Sequence, residues 1–255
     1  MKRFLHLALL AIILTGCSTK PTSKAFKSEA FTYEGETKHS SILISCAFPV
    51  SGDEVLCDSI YDFIVSAMTE SQCYEDPVPD FRHDGQGFVD FFGHEINKNA
   101  EEQWQLFTKG DEDRADDIEE EIIFGISEST PEFMTYDFEH SFSGIADGFV
   151  HQFRTSFLRS DGSRVTNQFL FSDPSSSELL DLVKKDLKNR LRGDDAEEYV
   201  DNISELPKRP FFLTTEGLGF NYEQFEVYMY ELSGFLSLKK VKPFLTDGAK
   251  AVLGL

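Results

Sequence analysis

The most specific chemical pattern in the sequence is Leu14-Thr15-Gly16-Cys17. Lys2 and Arg3 make a positive start, and the run from Phe4 to Leu14 is apolar apart from His6. As a helix that run rises only ~16 Å, about half of the ~30 Å hydrocarbon core of a bilayer. It therefore reads as the hydrophobic region of an export signal and not as a membrane span. Its closing residues resemble a bacterial lipobox. Small side chains fit a signal peptidase, and the Cys17 thiol is the nucleophile that takes diacylglycerol before cleavage between Gly16 and Cys17. Residues 1–16 are then the signal peptide, and two or three acyl chains on Cys17 anchor the product stably. Ser18 stands where an aspartate would favour inner-membrane retention, so the periplasmic face of a bacterial outer membrane is the expected location.

Other reactive residue types lack comparable spacing. His140 and His151 lie eleven residues apart in strand-like sequence without a third metal ligand at a predictable distance, and His94-Glu95 lacks the second histidine of HExxH. His39 and His83 have no chemical partner nearby in sequence, and no serine lies in G-x-S-x-G. Each histidine is read as a satisfied surface or core residue. Asp111-Glu112-Asp113-Arg114-Ala115-Asp116 echoes a calcium loop, but Asp116 stands where glycine is required and Ile122 where the bidentate glutamate belongs. The run Asp111 to Glu121 reads as a solvated charge cluster. Carboxylate pairs such as Asp116 and Glu119 carry no weight for glycoside hydrolysis in so acidic a chain. No catalytic residue, metal site or cofactor is assigned, and the protein is not expected to be an enzyme. With Cys17 acylated, Cys46, Cys57 and Cys73 remain, an odd number in an oxidising compartment. Cys46 could pair with Cys57 or Cys73, a Cys57–Cys73 bridge is strained by their separation, and small buried hydrophobes are the plainer reading.

These residues must be held by regular elements. Residues 17–25 are polar, contain Pro21 and read as a flexible tether. Ala25 to Glu34 and Ser41 to Val50 read as strands, the second with Ile42, Ile44, Cys46 and Phe48 at period two. Ser51-Gly52-Asp53-Glu54 fits a capping box, and Val55, Leu56, Ser59, Ile60, Phe63, Ile64, Ala67 and Met68 follow at helical spacing. A second helix is expected from Gly93 to Phe107, with Ile96, Ala100, Trp104 and Phe107 inward and Gly110 ending it. Strand-like aromatic sequence then runs to Leu158, and Asp161-Gly162 suits a type I′ turn with two positive φ angles. Ser175-Ser176-Ser177-Glu178 offers another capping box before a helix with Leu179, Leu180, Leu182, Val183, Leu187 and Leu191 on one face and Gly193 beyond its end. A short acidic helix is expected over Asp194 to Ile203, and a β-rich stretch over Phe211 to Phe244. Tyr222, Phe225, Tyr228 and Tyr230 suit either ligand recognition or, as favoured here, core packing. The predicted fold class is α+β: antiparallel sheets packed against a few amphipathic helices in two intimately joined subdomains, 26–145 and 146–250, that share a sheet.

Composition bounds the rest. The chain has 255 residues, 40% of them hydrophobic and 25 of them Phe, enough for a substantial core. Its 24 basic and 45 acidic residues give −21, and loss of Lys2 and Arg3 leaves −23. Such a surface repels phosphate backbones, which excludes nucleic acid as a partner, and it opposes binding to anionic lipid except through a covalent anchor.

Phe211-Phe212-Leu213-Thr214-Thr215-Glu216-Gly217-Leu218-Gly219-Phe220 resembles the F-x-L-T-x-x-G-L-x-F hairpin of the RsiV-like C-terminal domain family. Phe225-Glu226-Val227, Gly234 and Phe235 to Pro243 fill the places that follow, and Asp161-Gly162 with Thr166 to Phe171 and the 178–191 helix match upstream. Ser143-Gly144-Ile145-Ala146-Asp147 lacks the family's histidine, and Phe225 replaces its tyrosine. The resemblance implies an envelope-facing module found in an anti-sigma factor and beside a deacetylase domain. The partners it implies are a basic protein such as lysozyme or cell-wall material, which a strongly acidic body would steer electrostatically. Residues and resemblance together predict a lipid-anchored binding or accessory protein of the cell envelope. The competing reading is a lipid-anchored hydrolase of wall polymers.

Overall fold

The computed structural model describes residues 25–72, 74, 76–109, 116–144, 148–191, 194–223 and 231–255. Residues 1–24, which hold Gly16 and Cys17, lie outside them, as do Cys73, the Asp111–Ala115 part of the acidic run, Gly193, Phe225, Tyr228 and Tyr230.

Alternation of apolar residues drives the first layer. Strands β1 (Lys27–Glu36), β2 (Ser40–Ser51), β3 (Ile118–Ser129), β4 (Phe133–Ser143) and β5 (Phe149–Leu158) form a sheet in that spatial order. Ile42, Ile44, Cys46 and Phe48 are all buried on β2, as their period of two predicts. Every neighbouring pair is antiparallel except β2 and β3, which are parallel. A parallel pair needs a long crossover, and it is made by α1 (Glu54–Ser71) and α2 (Gly85–Thr108).

Both helices differ in detail from expectation. The predicted box at Ser51 is not used: Ser51 stays in β2, and the Asp53 carboxylate caps α1 by accepting from the N–H groups of Val55 and Leu56. Val55, placed in the apolar stripe, is 57% exposed because it lies on the first, solvent-facing turn. Helix α2 starts at Gly85, not at Gly93, capped by Asp84 accepting from Gly87 N–H. Gly93 is an interior contact: a Cβ there would sit 2.2 Å from the Tyr33 ring of β1. Ile96, Ala100 and Trp104 are buried as expected, whereas Phe107 is exposed and Thr108 takes the inward position.

The second layer is a three-stranded antiparallel sheet, β6 (Phe212–Leu213), β7 (Gly217–Tyr222) and β8 (Leu232–Ser237). It packs with α3 (Asn167–Leu170), α4 (Ser177–Arg190), α5 (Asp194–Asp201), α6 (Leu238–Val241) and α7 (Asp247–Val252) around a second core. The cap of α4 is Ser176, accepting from Leu179 N–H, because Ser175 is already bonded to Asp173. The β-rich stretch expected as far as Phe244 ends at Ser237, and α6 and a 3₁₀ turn (Lys242–Phe244) follow. The turn after β5 is also wider than a type I′ turn: Leu158 N–H bonds Ser163 C=O, and of the Asp-Gly pair only Gly162 has positive φ, at +71°. Asp161 serves instead as an acceptor for Ser163 N–H and Oγ–H.

β4 ends at Ser143 and β5, which begins at Phe149, pairs with it, so the larger sheet takes strands from both sides of the expected subdomain boundary and β5 is its edge strand. Phe153 and Phe157 of β5 enter the first core and Leu158 the second. Buried hydroxyls join the layers. Thr135 Oγ1 donates to Leu213 C=O at 2.8 Å, and Leu213 N–H donates to Ser156 Oγ at 2.7 Å. Thr135 and Ser156 are themselves 2.7 Å apart. Since the single hydroxyl hydrogen of Thr135 goes to Leu213, Ser156 is the donor to Thr135.

Candidate functional site

The β4–β5 register brings His140 and His151 directly opposite each other, although the sequence shows them only as two isolated residues. Their partners differ. His140 Nε2 lies 2.7 Å from Glu120 Oε1, an oxygen that also accepts from Gln72 Nε2 at 2.7 Å, and His140 and Glu120 are both buried. His151 Nδ1 bonds Glu231, whose other oxygen accepts from Gln152 N–H. Glu120 thus departs from the solvated reading of the acidic run: it lies in β3 on the same buried face as Ile118 and Ile122. Asp117 of the same run pairs with His39 Nδ1 at 3.2 Å, and the His39 ring stacks on Trp104. His83 and His94 are exposed elsewhere, and Glu119 and Asp116 face solvent. Among the described residues no group of three or more His, Cys, Asp or Glu has the arrangement of a metal site.

Cys46 and Cys57 are both free. Burial pushes the Cys46 thiol far above its ordinary range, and burial with the charges of Asp53 and Asp58 also raises that of Cys57. Tyr222 is buried, its hydroxyl donating to Glu205 C=O at 2.8 Å, as core packing predicts.

Two hollows flank the edge strand β5. One hollow, of about 160 Å³, is walled by α1, β5 and the segments at 164–166 and 209–211. A second, of about 350 Å³, lies between the outer face of β4–β5 and the β7–β8 hairpin. Phe153 and Arg154 line both. The Arg209 guanidinium lies 3.7 Å from the centre of the Phe153 ring and pairs with Glu70 at 2.8 Å and Glu223 at 2.5 Å. Arg154 covers the Phe212 ring at 5.1 Å and pairs with Asp137 at 3.1 Å. Loss of solvent raises the Asp137 carboxyl above its ordinary value, against the opposing hydrogen bond from Ser127 and the charge of Arg154. In the second hollow Arg190 pairs with Asp186 at 2.6 Å, and the same Asp186 oxygen accepts from Phe235 N–H. Sequence reasoning singled out none of these arginines. The available signal was the adjacency of a scarce residue to phenylalanine, as in Phe153-Arg154 and Arg209-Pro210-Phe211.

Comparison with known proteins bears on both ends of the chain. Residues 1–18 match the prokaryotic membrane lipoprotein lipid attachment site, which marks an exported, lipid-anchored protein. No curated protein matches the sequence. A crystal structure of a DUF3298 family member from Bacteroides fragilis superposes with a TM-score of 0.65 at 16% identity, covering 91% of this chain and 98% of that one. The fold is that of the DUF3298 structures. A DUF3298 family protein from Pseudomonas aeruginosa also superposes, with a TM-score of 0.54 at 11% identity over 89% of this chain and 97% of that one. Within this α+β DUF3298 fold, no helix of the described residues is long and apolar enough to cross a membrane.

Proposed function

We propose that the protein is a non-catalytic binding or accessory lipoprotein of the cell envelope, held by acyl chains on Cys17 after cleavage behind Gly16, at the periplasmic face of an outer membrane. The reading rests on one conjunction: a lipid attachment site at residues 1–18 followed by a DUF3298-like body without a spanning helix among its described residues. The likeness of residues 211–220 to the RsiV-like hairpin favours a basic protein such as lysozyme, or cell-wall material, as the ligand. A net charge of −23 after loss of Lys2 and Arg3, from 22 basic and 45 acidic residues, supports long-range capture of a basic partner. Labelled palmitate should enter the wild-type protein and not a Cys17→Ser variant, which should leave the membrane fraction; continued membrane partitioning of that variant refutes the anchor. A basic muramidase should be retained by the protein at low salt and released at high salt. Absence of retention at both removes the basic partner.

A lipid-anchored hydrolase of wall polymers is the second reading, and the observation in its favour is the facing pair His140 and His151 with Glu120 and Glu231. Against it, each imidazole is turned to its own carboxylate, and the Glu120 pair is buried away from the hollows beside β5. Clearing of peptidoglycan in a gel by the wild type and not by a His140→Gln, His151→Gln double variant would reverse this preference.

A further inference from the structure

Three of the nine arginines of this acidic chain, Arg154, Arg164 and Arg209, meet in the smaller hollow beside β5, where Glu70 is the one carboxylate in the wall among the described residues. Two are already committed. Arg209 is paired with Glu70 and Glu223, and Arg154 with Asp137. Arg164 differs. Its guanidinium lies over the buried rings of Phe63, at 5.5 Å, and Phe157, at 5.9 Å, and among the described residues no carboxylate forms an ion pair with it. Asp62 contributes a charge at longer range, but its carboxylate is bonded to Arg82 at 3.1 Å. Arg164 is exposed as a residue, with its guanidinium lying against the two rings; partial loss of solvent there pulls the guanidinium below its ordinary value and leaves its N–H groups open to an anion entering the hollow.

We propose that this hollow is a binding site for the carboxylate of a small ligand, with the N–H fork of Arg164 as its anchor and Arg154 and Arg209, each held by its own carboxylates, forming the flanking walls. The guanidinium fork matches a carboxylate in a bidentate contact. Charge selects the ligand further: one uncommitted cation balances one negative charge, and Glu70, Glu223 and Asp62 oppose a second. A volume of about 160 Å³ suits a short carboxylate-bearing terminus and excludes a folded surface. Phe63, Phe153 and Phe211 in its walls suit an apolar substituent beside the carboxylate. The site does not depend on acylation of Cys17, so failure of either leaves the other standing.

N-acetylalanine titrated by calorimetry into the full-length protein in detergent micelles tests the site, with N-acetylalaninamide and inorganic phosphate as comparisons. Saturable binding of the acid is expected, weakened at least ~10-fold in the amide, in phosphate and in an Arg164→Gln variant, the scale of one lost charge-assisted contact. In nitrogen-15 NMR spectra of the wild type, the acid should shift the Arg164 side-chain signal and the Thr166 amide. This decides the matter if the variant fails to fold. Absence of saturable binding, equal affinity for acid and amide, phosphate binding as tight as the acid, or full affinity in a folded Arg164→Gln variant each overturns the proposal.

Discussion

Glu120 shows how much one side chain in this fold holds. Its Oε1 accepts from Gln72 and faces His140 Nε2, both at 2.7 Å, in a site closed to solvent on the His140 and Glu120 sides. Glu120→Ala should cost about 1–3 kcal/mol, because the buried His140 and the half-buried Gln72 lose their shared partner, and Glu120→Gln should recover part of it. Urea denaturation measures both. Asp161 makes a pH-dependent contribution. Hydrogen bonds from Ser163 hold its carboxyl below the ordinary 3.8. A carboxyl lowered in the folded state stabilises fully above its unfolded value and loses that stabilisation as pH falls through the folded value. In a carbon-13 titration, Ser163→Ala, which removes the Oγ–H bond and keeps the backbone N–H bond, should move the Asp161 midpoint part of the way up toward 3.8, and an unmoved midpoint would show that the hydroxyl bond does not set it.

At the scale of elements, the turn after β5 pins the sheet edge to the start of α1. Gly162 has φ +71°, and a Cβ there would meet Leu56 N at 2.7 Å and Val55 C at 2.8 Å, both backbone atoms that cannot swing aside. Gly162→Ala should therefore cost about 1–3 kcal/mol from positive φ and overpacking together, read as a lower thermal midpoint. The same helix start carries the Asp53 cap, so a Gly162 variant should also increase hydrogen exchange at Val55 and Leu56, whose N–H groups that cap accepts. Element types were largely legible in the sequence: both long helices, the long strands and α4 follow from apolar period, although the caps expected at Ser51 and Ser175 are taken by Asp53 and Ser176. Their ends were less so, because competing local bonds decide them. Asp173 takes Ser175 and shifts the α4 cap by one residue, and the Tyr33 ring makes Gly93 a packing surface where sequence alone suggests a start.

For the whole molecule, the coupling between the two cores is a chain of hydroxyls, Ser156 to Thr135 to Leu213 C=O, closed by Leu213 N–H on Ser156. Thr135→Val preserves shape but leaves the Leu213 carbonyl and the Ser156 hydroxyl short of partners, an expected loss of about 1–3 kcal/mol. Trp104, the single tryptophan, sits in the first core. Its fluorescence and the far-ultraviolet circular dichroism of the whole chain should shift together in the variant. A tryptophan transition that stayed at the wild-type midpoint while the dichroism moved would show that the hydroxyl chain does not couple the cores.

Local chemistry was enough for the N-terminal attachment signal, the acidic surface, the α+β class and most element types, since each depends on residues adjacent in the chain or repeating along it. The facing of His140 with His151, the burial of Glu120 and the meeting of Arg154, Arg164 and Arg209 depend on register and on contacts across tens of residues. A strand's own period says which side chains share its face but not which strand lies beside it, so these groupings came into being only when the sheets paired and packed.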